Sequence, residues 1–365
     1  MDSFDPTLIP SFPELAFPIP LWLSKILLVL GFFLHAVPMN IILGGTLIAA
    51  FFLWHNSKYS AKAGRDLVYS LPVILSFAIT QGIVPLLFLQ LVYGPLYYSS
   101  SIFMAVPWIF IIVILIIAYY FLYIVKFNED KLTGWGKNLL LAAGIIFLVI
   151  AFFFTNNMTL MLNPSNWNGL EEITIKGNHL NLIDPQLIPR YLHFVLAGFA
   201  VTGLYLGCFG LFVKKDGQYS EWLIRTGSSI YVITTLIQFA VGTWFLLSIG
   251  QPMMKQFMGQ SLLGTASFGI SLILTIVSII AGVIATNKVN KTAMIVSSVT
   301  GLLTVLGMII MRHVLRDASV SEFFKPELVP INIQWDIFIA FGILAVGLII
   351  YLVWLVKLTW GAFKK

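Results

Sequence analysis

Three histidines stand in long apolar stretches of this 365-residue sequence. His35 lies within GFFLHAVPMNIILGG, His193 within RYLHFVLAGFAVTGLYLG, and His313 near the end of GMIIMRHVLRD. An imidazole surrounded by hydrocarbon is costly, so it usually has a bonding partner or a function. Neutral imidazole is also a good axial ligand for haem iron. The sequence therefore predicts that these three residues are metal ligands to haem.

Each histidine also has a simpler structural interpretation. Pro38 frees a backbone carbonyl one turn earlier on the same helix, and His35 can donate a hydrogen bond to such a carbonyl. His193 begins a stripe of small residues at helical spacing, which a flat macrocycle needs but which also suits close helix–helix packing. The stripe continues through Ala197, Ala200, Gly203, Gly207 and Gly210. The sequence leaves both interpretations open.

Arginines accompany two of the histidines. Arg312 and Arg316 flank His313, and Arg190 precedes His193 by three residues. A guanidinium fork matches the geometry of carboxylates such as haem propionates, so these three arginines are predicted cofactor-binding residues. The alternative is a basic cluster at the membrane interface that holds phospholipid headgroups.

Methionine supplies a second type of axial ligand, because a thioether raises the potential of haem iron. Met258 lies in the methionine-rich stretch QPMMKQFMGQ, and Met311 lies two residues before His313. Both are predicted cofactor-binding residues. Ordinary packing in the apolar core is the alternative for each.

The composition indicates a polytopic membrane protein. Hydrophobic residues make up 59% of the chain and charged residues only 10%, against roughly a quarter in soluble domains. The single cysteine, Cys208, excludes an intrachain disulfide, a CxxC zinc site and covalent CxxCH attachment of haem. A haem is therefore expected to be held non-covalently. The net charge of +6 is spread over loops, which argues against a nucleic-acid partner.

Nine apolar segments predict an all-α bundle of about nine transmembrane helices, in a single haem-binding domain covering residues 1–365. The longest connection, residues 159–189, is predicted to pack over the outer mouth of the bundle. The predicted spans are 21–54, 68–92, 102–126, 137–158, 190–213, 223–249, 262–286, 292–312 and 333–356.

Basic residues are divided unequally between the two sides of this bundle. Fourteen of the 21 fall in the loops after spans 1, 3, 5 and 7 or near the C-terminus. The positive-inside rule therefore predicts an outer N-terminus and a cytoplasmic C-terminus, in a multi-pass protein of the inner (cytoplasmic) membrane. All three histidines then lie toward the outer leaflet. The fifteen acidic residues fall at termini, loops or span edges, so the sequence shows no mid-membrane carboxylate relay of the kind that proton pumps use.

Several segments resemble subunit I of cytochrome bd quinol oxidase. RYLHFVLAGFAVTG resembles the helix of that family that carries a haem b ligand, with His193 in the ligand's place. LHAVPMNIILGG resembles its first span, in which a histidine ligates a haem, and His35 occupies that place. MLNPSNW and FLQLVYGPLYYSS resemble two further stretches. The resemblance implies nine spans, an outer N-terminus, and two or three haem b groups.

The sequence also departs from that family's pattern. The third span, AVPWIFIIVILIIAYYFLYIV, lacks the two glutamates of the family's oxygen-reducing site. The family's E-x-G-R-Q-P-W signature is reduced to GMIIMRHVLRD, in which Gly307 and Arg312 echo the pattern and His313 stands in for the glutamate ligand. The long outer quinol loop between spans 6 and 7 is reduced to about ten residues, QPMMKQFMGQ.

These observations favour a membrane cytochrome b subunit of a respiratory complex. It is predicted to exchange electrons between the quinone pool and an outer-face redox partner, such as a multihaem c-type cytochrome. Quinone is expected near Gln81, Gln90 or the segment 93–98, and other subunits of a membrane redox complex are expected partners. The alternatives are a bd-type quinol:oxygen oxidoreductase with altered ligands, a haem-free quinone-binding anchor, and a small-molecule transporter.

Overall fold

The protein is a bundle of long helices. The computed structural model describes residues 16–128, 132–167, 170 and 176–362. In this part of the chain the only strand-like pairing is a single backbone bridge between Phe17 and Ile331, so the predicted all-α fold is confirmed. The long helices are α1 (Leu21–His55), α2 (Lys58–Phe103), α3 (Ala105–Lys126), α4 (Lys137–Leu162), α5 (Leu187–Phe212), α6 (Gly217–Ser248), α7 (Leu262–Lys288), α8 (Lys291–Val320) and α9 (Trp335–Ala362).

These helices coincide with the predicted spans. Among the described residues, α1 to α8 are long and apolar enough to cross a membrane. The ninth helix, α9, lies where the ninth span is predicted. The protein is therefore a multi-pass membrane bundle, and its orientation in the membrane stays a prediction.

The second helix is much longer than the predicted span 68–92. It has 46 residues, which corresponds to a length of about 69 Å at ~1.5 Å per residue. Hydropathy detects only the part of a helix that crosses the ~30 Å apolar layer. The predicted span 68–92 therefore leaves out the polar first turns and the aromatic last turns of α2. A kink at Tyr93, with φ −125° and ψ 31°, separates the last turns from the rest.

The start of α1 and the end of α8 meet at one end of the bundle. Lys25 Nζ donates to Asp317 Oδ2 and to Glu327 Oε1, each at 2.8 Å. The backbone bridge between Phe17, just before α1, and Ile331, in the connection after α8, lies at the same end. This is the end that the charge pattern predicts to face outward.

The connection 159–189 packs against this end where it is described. Trp167 is fully buried and donates its Nε1 proton to the carbonyl of Leu160 at 3.0 Å. The backbone N–H of His179 donates to the carbonyl of Phe103, also at 3.0 Å. Residues 168–169 and 171–175, which include Glu171 and Glu172, lie outside the described residues.

Helices α1 and α5 approach each other very closely. A Cβ atom added at Gly44 would lie 2.3 Å from the carbonyl oxygen of Gly198. Such a contact involves backbone on both sides, so only glycine fits there. This contact holds the helix that carries His35 against the helix that carries His193.

Candidate cofactor-binding cavities

Two large apolar cavities lie side by side within the bundle. The first has a volume of about 370 Å³ and is lined by α1, α2, α3, α4, α5 and α8. The second has a volume of about 350 Å³ and is lined by α1, α5, α6, α7, α8 and Phe257. Both volumes fall within the range of ~300–1,000 Å³ that is usual for cofactor and small-molecule sites. We call them the first and second cavity.

His35 lines the first cavity with its ring held in one orientation. Its Nδ1 atom lies 2.8 Å from the carbonyl oxygen of Ala78 on α2, and a carbonyl can only accept, so Nδ1 donates. The neutral ring then keeps its lone pair on Nε2. Metal-ligating histidines are oriented by this kind of second hydrogen bond. The carbonyl belongs to a neighbouring helix and not to the turn before Pro38, which the sequence had offered as the partner.

His313 lines the same cavity. Its Nε2 atom lies 3.6 Å from Asp317 Oδ2, one turn further along α8. Its Nδ1 atom is buried without a hydrogen-bond partner. Asp317 is itself held by Lys25 and by the hydroxyl of Tyr93. One nitrogen of the His313 ring therefore lies near a carboxylate that is held in place, and the other has no hydrogen-bond partner.

His193 lines the second cavity. Its Nδ1 atom is buried and unpartnered, although a buried polar atom normally finds a hydrogen bond. Its backbone carbonyl accepts a hydrogen bond from Gln238 Nε2 at 2.9 Å, which ties α5 to α6 at this level. A Cβ atom added at Gly242 would lie 3.3 Å from Cε1 of the ring, so this glycine leaves room for the imidazole.

The predicted methionines fall in different places. Met311 lines the second cavity, and Met308, one turn earlier on α8, lines it as well. Met258 is 56% exposed and lines neither cavity. It lies in the short helical segment between α6 and α7, at a residue with non-helical backbone angles.

The three predicted arginines converge around both cavities. Arg190 and Arg312 line both cavities, and Arg316 lines the first. Arg190 and Arg316 are only 4% and 6% exposed. Arg190 Nη2 donates to Gln186 Oε1 at 2.7 Å, and its Nε atom is unpartnered. Within the described part of the chain, none of the three forms an ion pair with a carboxylate.

The stripe of small residues that follows His193 serves two purposes. Its first members, Ala197 and Ala200, line the second cavity. Further along, a Cβ atom at Gly203 would lie 2.7 Å from the carbonyl oxygen of Gly227 on α6, and one at Gly207 would lie 2.4 Å from the sulfur of Met294. The later part of the stripe is therefore helix packing, and only the part nearest His193 borders a cavity.

Neither cavity is lined by a carboxylate, and the described residues contain no cluster of three or more metal-binding side chains. The suggested quinone contacts Gln81, Gln90 and Tyr93 line neither cavity.

Sequence reasoning missed the residues that separate the two cavities. Phe32, Asn40, Phe194 and Ile309 line both of them, together with Arg190 and Arg312. Asn40 is buried and its Oδ1 atom has no hydrogen-bond partner. An asparagine in an apolar helix was a visible signal, but its neighbours come from other helices and could not be read from one segment.

Comparison with known proteins shows a relationship of fold. No protein-family model matches this sequence, and no curated protein matches it significantly. Among solved structures, this chain is similar to a chain of the bd oxidase from Geobacillus thermodenitrificans, with a TM-score of 0.71 and 13% sequence identity. The alignment covers 92% of this chain and 97% of that chain. At this identity the similarity shows a shared helical fold.

Proposed function

We propose that this chain is a haem b-binding membrane subunit that passes electrons between the quinone pool and a redox partner at the outer face. The observation that carries the proposal is the pair of adjacent cavities. Each contains an imidazole with an available nitrogen, and around them lie the buried Arg190 and Arg316 and the half-buried Arg312, none of which forms an ion pair with a carboxylate among the described residues. The shared fold with a bd oxidase supports the same class of protein.

The side chains around the second cavity suit a haem. His193 would supply a ligand nitrogen to the iron, and Met308 or Met311 would supply a thioether from α8. Phe245 and Phe268 provide apolar walls. Arg190 and Arg312 would bind the propionates, which are carboxylates suited to a guanidinium fork.

The first cavity suits a second haem held by histidine. His35 and His313 both line it, so both would be available as ligands to haem there. The carbonyl of Ala78 fixes the tautomer of His35, which leaves Nε2 as the ligand atom. Arg312 and Arg316 are the arginines available for propionates here.

Haem b, when bound, supplies one-electron redox chemistry at its iron. The residues of this chain bind it, orient it and exclude water from it. A thioether raises the potential of the haem that it ligates, so the second cavity would hold the haem of higher potential.

A second candidate function is a bd-type quinol:oxygen oxidoreductase with altered ligands, which the fold similarity favours. The stretch Ala105–Lys126, which forms α3, contains no glutamate, although the resembling family has two at its oxygen-reducing site. Oxygen uptake with a quinol donor discriminates the two candidates. We expect none from the isolated chain, and sustained uptake by the purified protein would favour the oxidase.

Partners and location are part of the proposal. The chain would lie in the inner (cytoplasmic) membrane with its N-terminus outside, and would work with other subunits of a membrane redox complex. A multihaem c-type cytochrome is the proposed outer-face partner, because the three histidines lie nearer the ends of α1, α5 and α8 that are predicted to face outward.

A pyridine haemochrome assay on the purified protein tests the proposal. We expect two or three haem b per chain. His193→Ala should remove one low-spin haem and leave the bundle inserted in the membrane, and His35→Ala and His313→Ala should affect the haem of the first cavity. Protein that folds and inserts without any haem absorbance would overturn the proposal and favour a haem-free quinone-binding anchor.

A further inference from the structure

The second cavity has two ends of different chemical character. Along α5 it extends from His193 to Leu204, which corresponds to about 16 Å at ~1.5 Å per residue. Among the described residues, Arg190 and Arg312 are the charged side chains that line it. Arg190 lies three residues before His193, and the Cζ atom of Arg312 lies 5.7 Å from the ring centroid of Phe194. The charge is therefore concentrated at the end near His193.

The opposite end, around Leu204, is polar but uncharged. A Cβ atom added at Gly203 would lie 2.7 Å from the backbone nitrogen of Tyr231, and one added at Gly301 would lie 3.3 Å from the hydroxyl of the same tyrosine. Helices α5, α6 and α8 therefore meet here. The residues that line this part of the cavity with neutral polar side chains are Asn40, Tyr231, Thr235, Ser271, Thr275 and Thr304. We call it the hydroxyl end.

Three of these side chains have a polar atom without a partner. Asn40 Oδ1, Thr235 Oγ1 and Ser271 Oγ are buried and form no hydrogen bond with the described residues. The three residues are 4%, 6% and 4% exposed. A hydroxyl on a helix commonly donates to the carbonyl one turn earlier, as Thr234 does to Ile230 at 2.7 Å. Because an unpaired polar atom is costly in a buried place, these atoms indicate a ligand that forms hydrogen bonds.

The chemistry of the hydroxyl end defines that ligand. Oδ1 of Asn40 only accepts, so the ligand must donate, whereas a hydroxyl can donate and accept. No charged side chain among the described residues lines this end, which argues against an ion. Apart from its propionates, haem b carries only apolar groups at its edge and cannot satisfy these atoms. Water donates, accepts, and is small enough to fit beside a larger ligand.

The three residues belong to different helices that surround this end. Thr235 lies one turn from Tyr231 on α6, and Ser271 lies one turn from Thr275 on α7. The backbone carbonyl of Asn40 on α1 accepts a hydrogen bond from Thr202 Oγ1 at 3.5 Å, two residues before Leu204 on α5. A buried water typically forms about three hydrogen bonds, and side chains from three helices can supply them here.

We propose that the hydroxyl end of the second cavity is a binding site for a small cluster of ordered water molecules, held by Asn40, Thr235 and Ser271. The site itself does not depend on haem. One consequence rests on the proposed function: the water places polar groups beside the haem edge that is remote from the propionates. Polar surroundings favour the oxidised, more positive iron, so the water lowers the midpoint potential of this haem relative to a dry cavity.

Hydroxyl-radical footprinting of the purified protein in lipid nanodiscs tests the water site, because radicals formed from bound water oxidise the adjacent side chains. Tyr231 is the probe, since it lines the cavity and is only 4% exposed. We expect it to be oxidised in wild type, and its oxidation rate to fall several-fold in the double variant Thr235→Val/Ser271→Ala. Trp167 is the internal control, because it is fully buried and lines neither cavity, and it should stay unmodified.

Thermal unfolding of the single variants gives a second measurement, which also covers a double variant that does not accumulate. Thr235→Val and Ser271→Ala remove the polar atom and nearly keep the shape. Both should melt below wild type if the atom binds water, whereas removal of a dry, unpaired atom would be neutral or stabilising. Thr234→Val is the matched control, because its hydroxyl bonds within its own helix and it lines neither cavity. Its melting temperature should change less.

The outcomes separate this proposal from the proposed function. Unoxidised Tyr231 in wild type, or single variants that melt at or above wild type, would overturn the water site and leave haem binding untouched. In haem-loaded protein the double variant should raise the midpoint potential of the second-cavity haem and not that of the first, and an unchanged potential would overturn the redox consequence. Wild-type protein without haem would overturn the proposed function, while footprinting and unfolding would still test the water site.

Discussion

The Nδ1 atom of His35 donates a hydrogen bond to the backbone carbonyl of Ala78 at 2.8 Å, and so joins α1 to α2 at the edge of the first cavity. A backbone carbonyl is a permanent acceptor that does not change its protonation state. The bond therefore keeps the proton on Nδ1 and leaves Nε2 unprotonated. The Cε1 and Nδ1 atoms of the His35 ring lie close to Gly82, one turn after Ala78.

Substitution of Gly82 should disturb this arrangement. In Gly82→Ala the new Cβ atom would lie 2.9 Å from both Cε1 and Nδ1 of His35, so the ring must move away from Ala78. We expect the haem content of the first cavity to fall and that of the second to stay unchanged, as measured by the haem-to-protein ratio. Gly269→Ala is the matched control, because its Cβ atom would meet nothing within 4 Å. An unchanged ratio in Gly82→Ala would contradict the role of His35 as a ligand.

The methionines of α8 give a second prediction. If Met308 or Met311 supplies the thioether in the second cavity, its replacement by leucine removes the ligand and lowers the midpoint potential of that haem. We expect this result for one of the two variants and little change for the other. Met258→Leu should have no effect, because Met258 is largely exposed and lines neither cavity. Redox titration of all three variants is the measurement, and unchanged potentials throughout would exclude a thioether ligand from α8.

The contact between Gly44 and Gly198 predicts an effect on stability. In Gly44→Ala the Cβ atom would lie 2.3 Å from a carbonyl oxygen, so α1 and α5 must separate. Overpacking of this kind costs about 1–3 kcal/mol, and both cavities should bind their ligands less tightly. Gly45→Ala is the control, since its nearest neighbour is a flexible atom of Leu71 at 3.2 Å. Thermal unfolding in detergent should show a lower melting temperature for Gly44→Ala than for Gly45→Ala, and equal values would refute the prediction.

The ion pair between Lys25 and Glu327 should make stability depend on pH. Partial burial alone would raise the pKa of the Glu327 carboxyl, but the hydrogen bond from Lys25, a backbone hydrogen bond and the positive charge of Lys25 together outweigh this effect, and the pKa lies below its ordinary value. The contribution to stability is therefore complete above the unfolded pKa of about 4.3 and is lost as the pH falls through the lower folded pKa.

We accordingly expect Glu327→Gln to melt at a lower temperature than wild type at neutral pH, with the difference disappearing in acid. Glu322→Gln is the control, because Glu322 is exposed and forms no ion pair among the described residues. If the wild-type protein still melts at a higher temperature than Glu327→Gln in acid strong enough to protonate this carboxyl in the folded protein, that result would speak against this ion pair.

Much of the architecture could be predicted from the sequence. Apolar segments of sufficient length must become helices in a membrane, because no water is present to pair their backbone groups. The all-α fold and the positions of the long helices followed from that constraint alone. The histidines and arginines were also visible as candidates, because polar groups are costly in hydrocarbon.

The grouping of these residues was decided only by the tertiary structure. The sequence could not reveal that His35 and His313 share one cavity and His193 lines another, or that Met311 borders a cavity and Met258 does not. It also could not reveal that His35 bonds to Ala78 on a different helix, or that Arg312 lies between two phenylalanine rings. Helical periodicity determines which residues share a face of one helix. Which face meets which helix depends on close packing among all of them, as at Gly44 and Gly198, and no single segment contains that information.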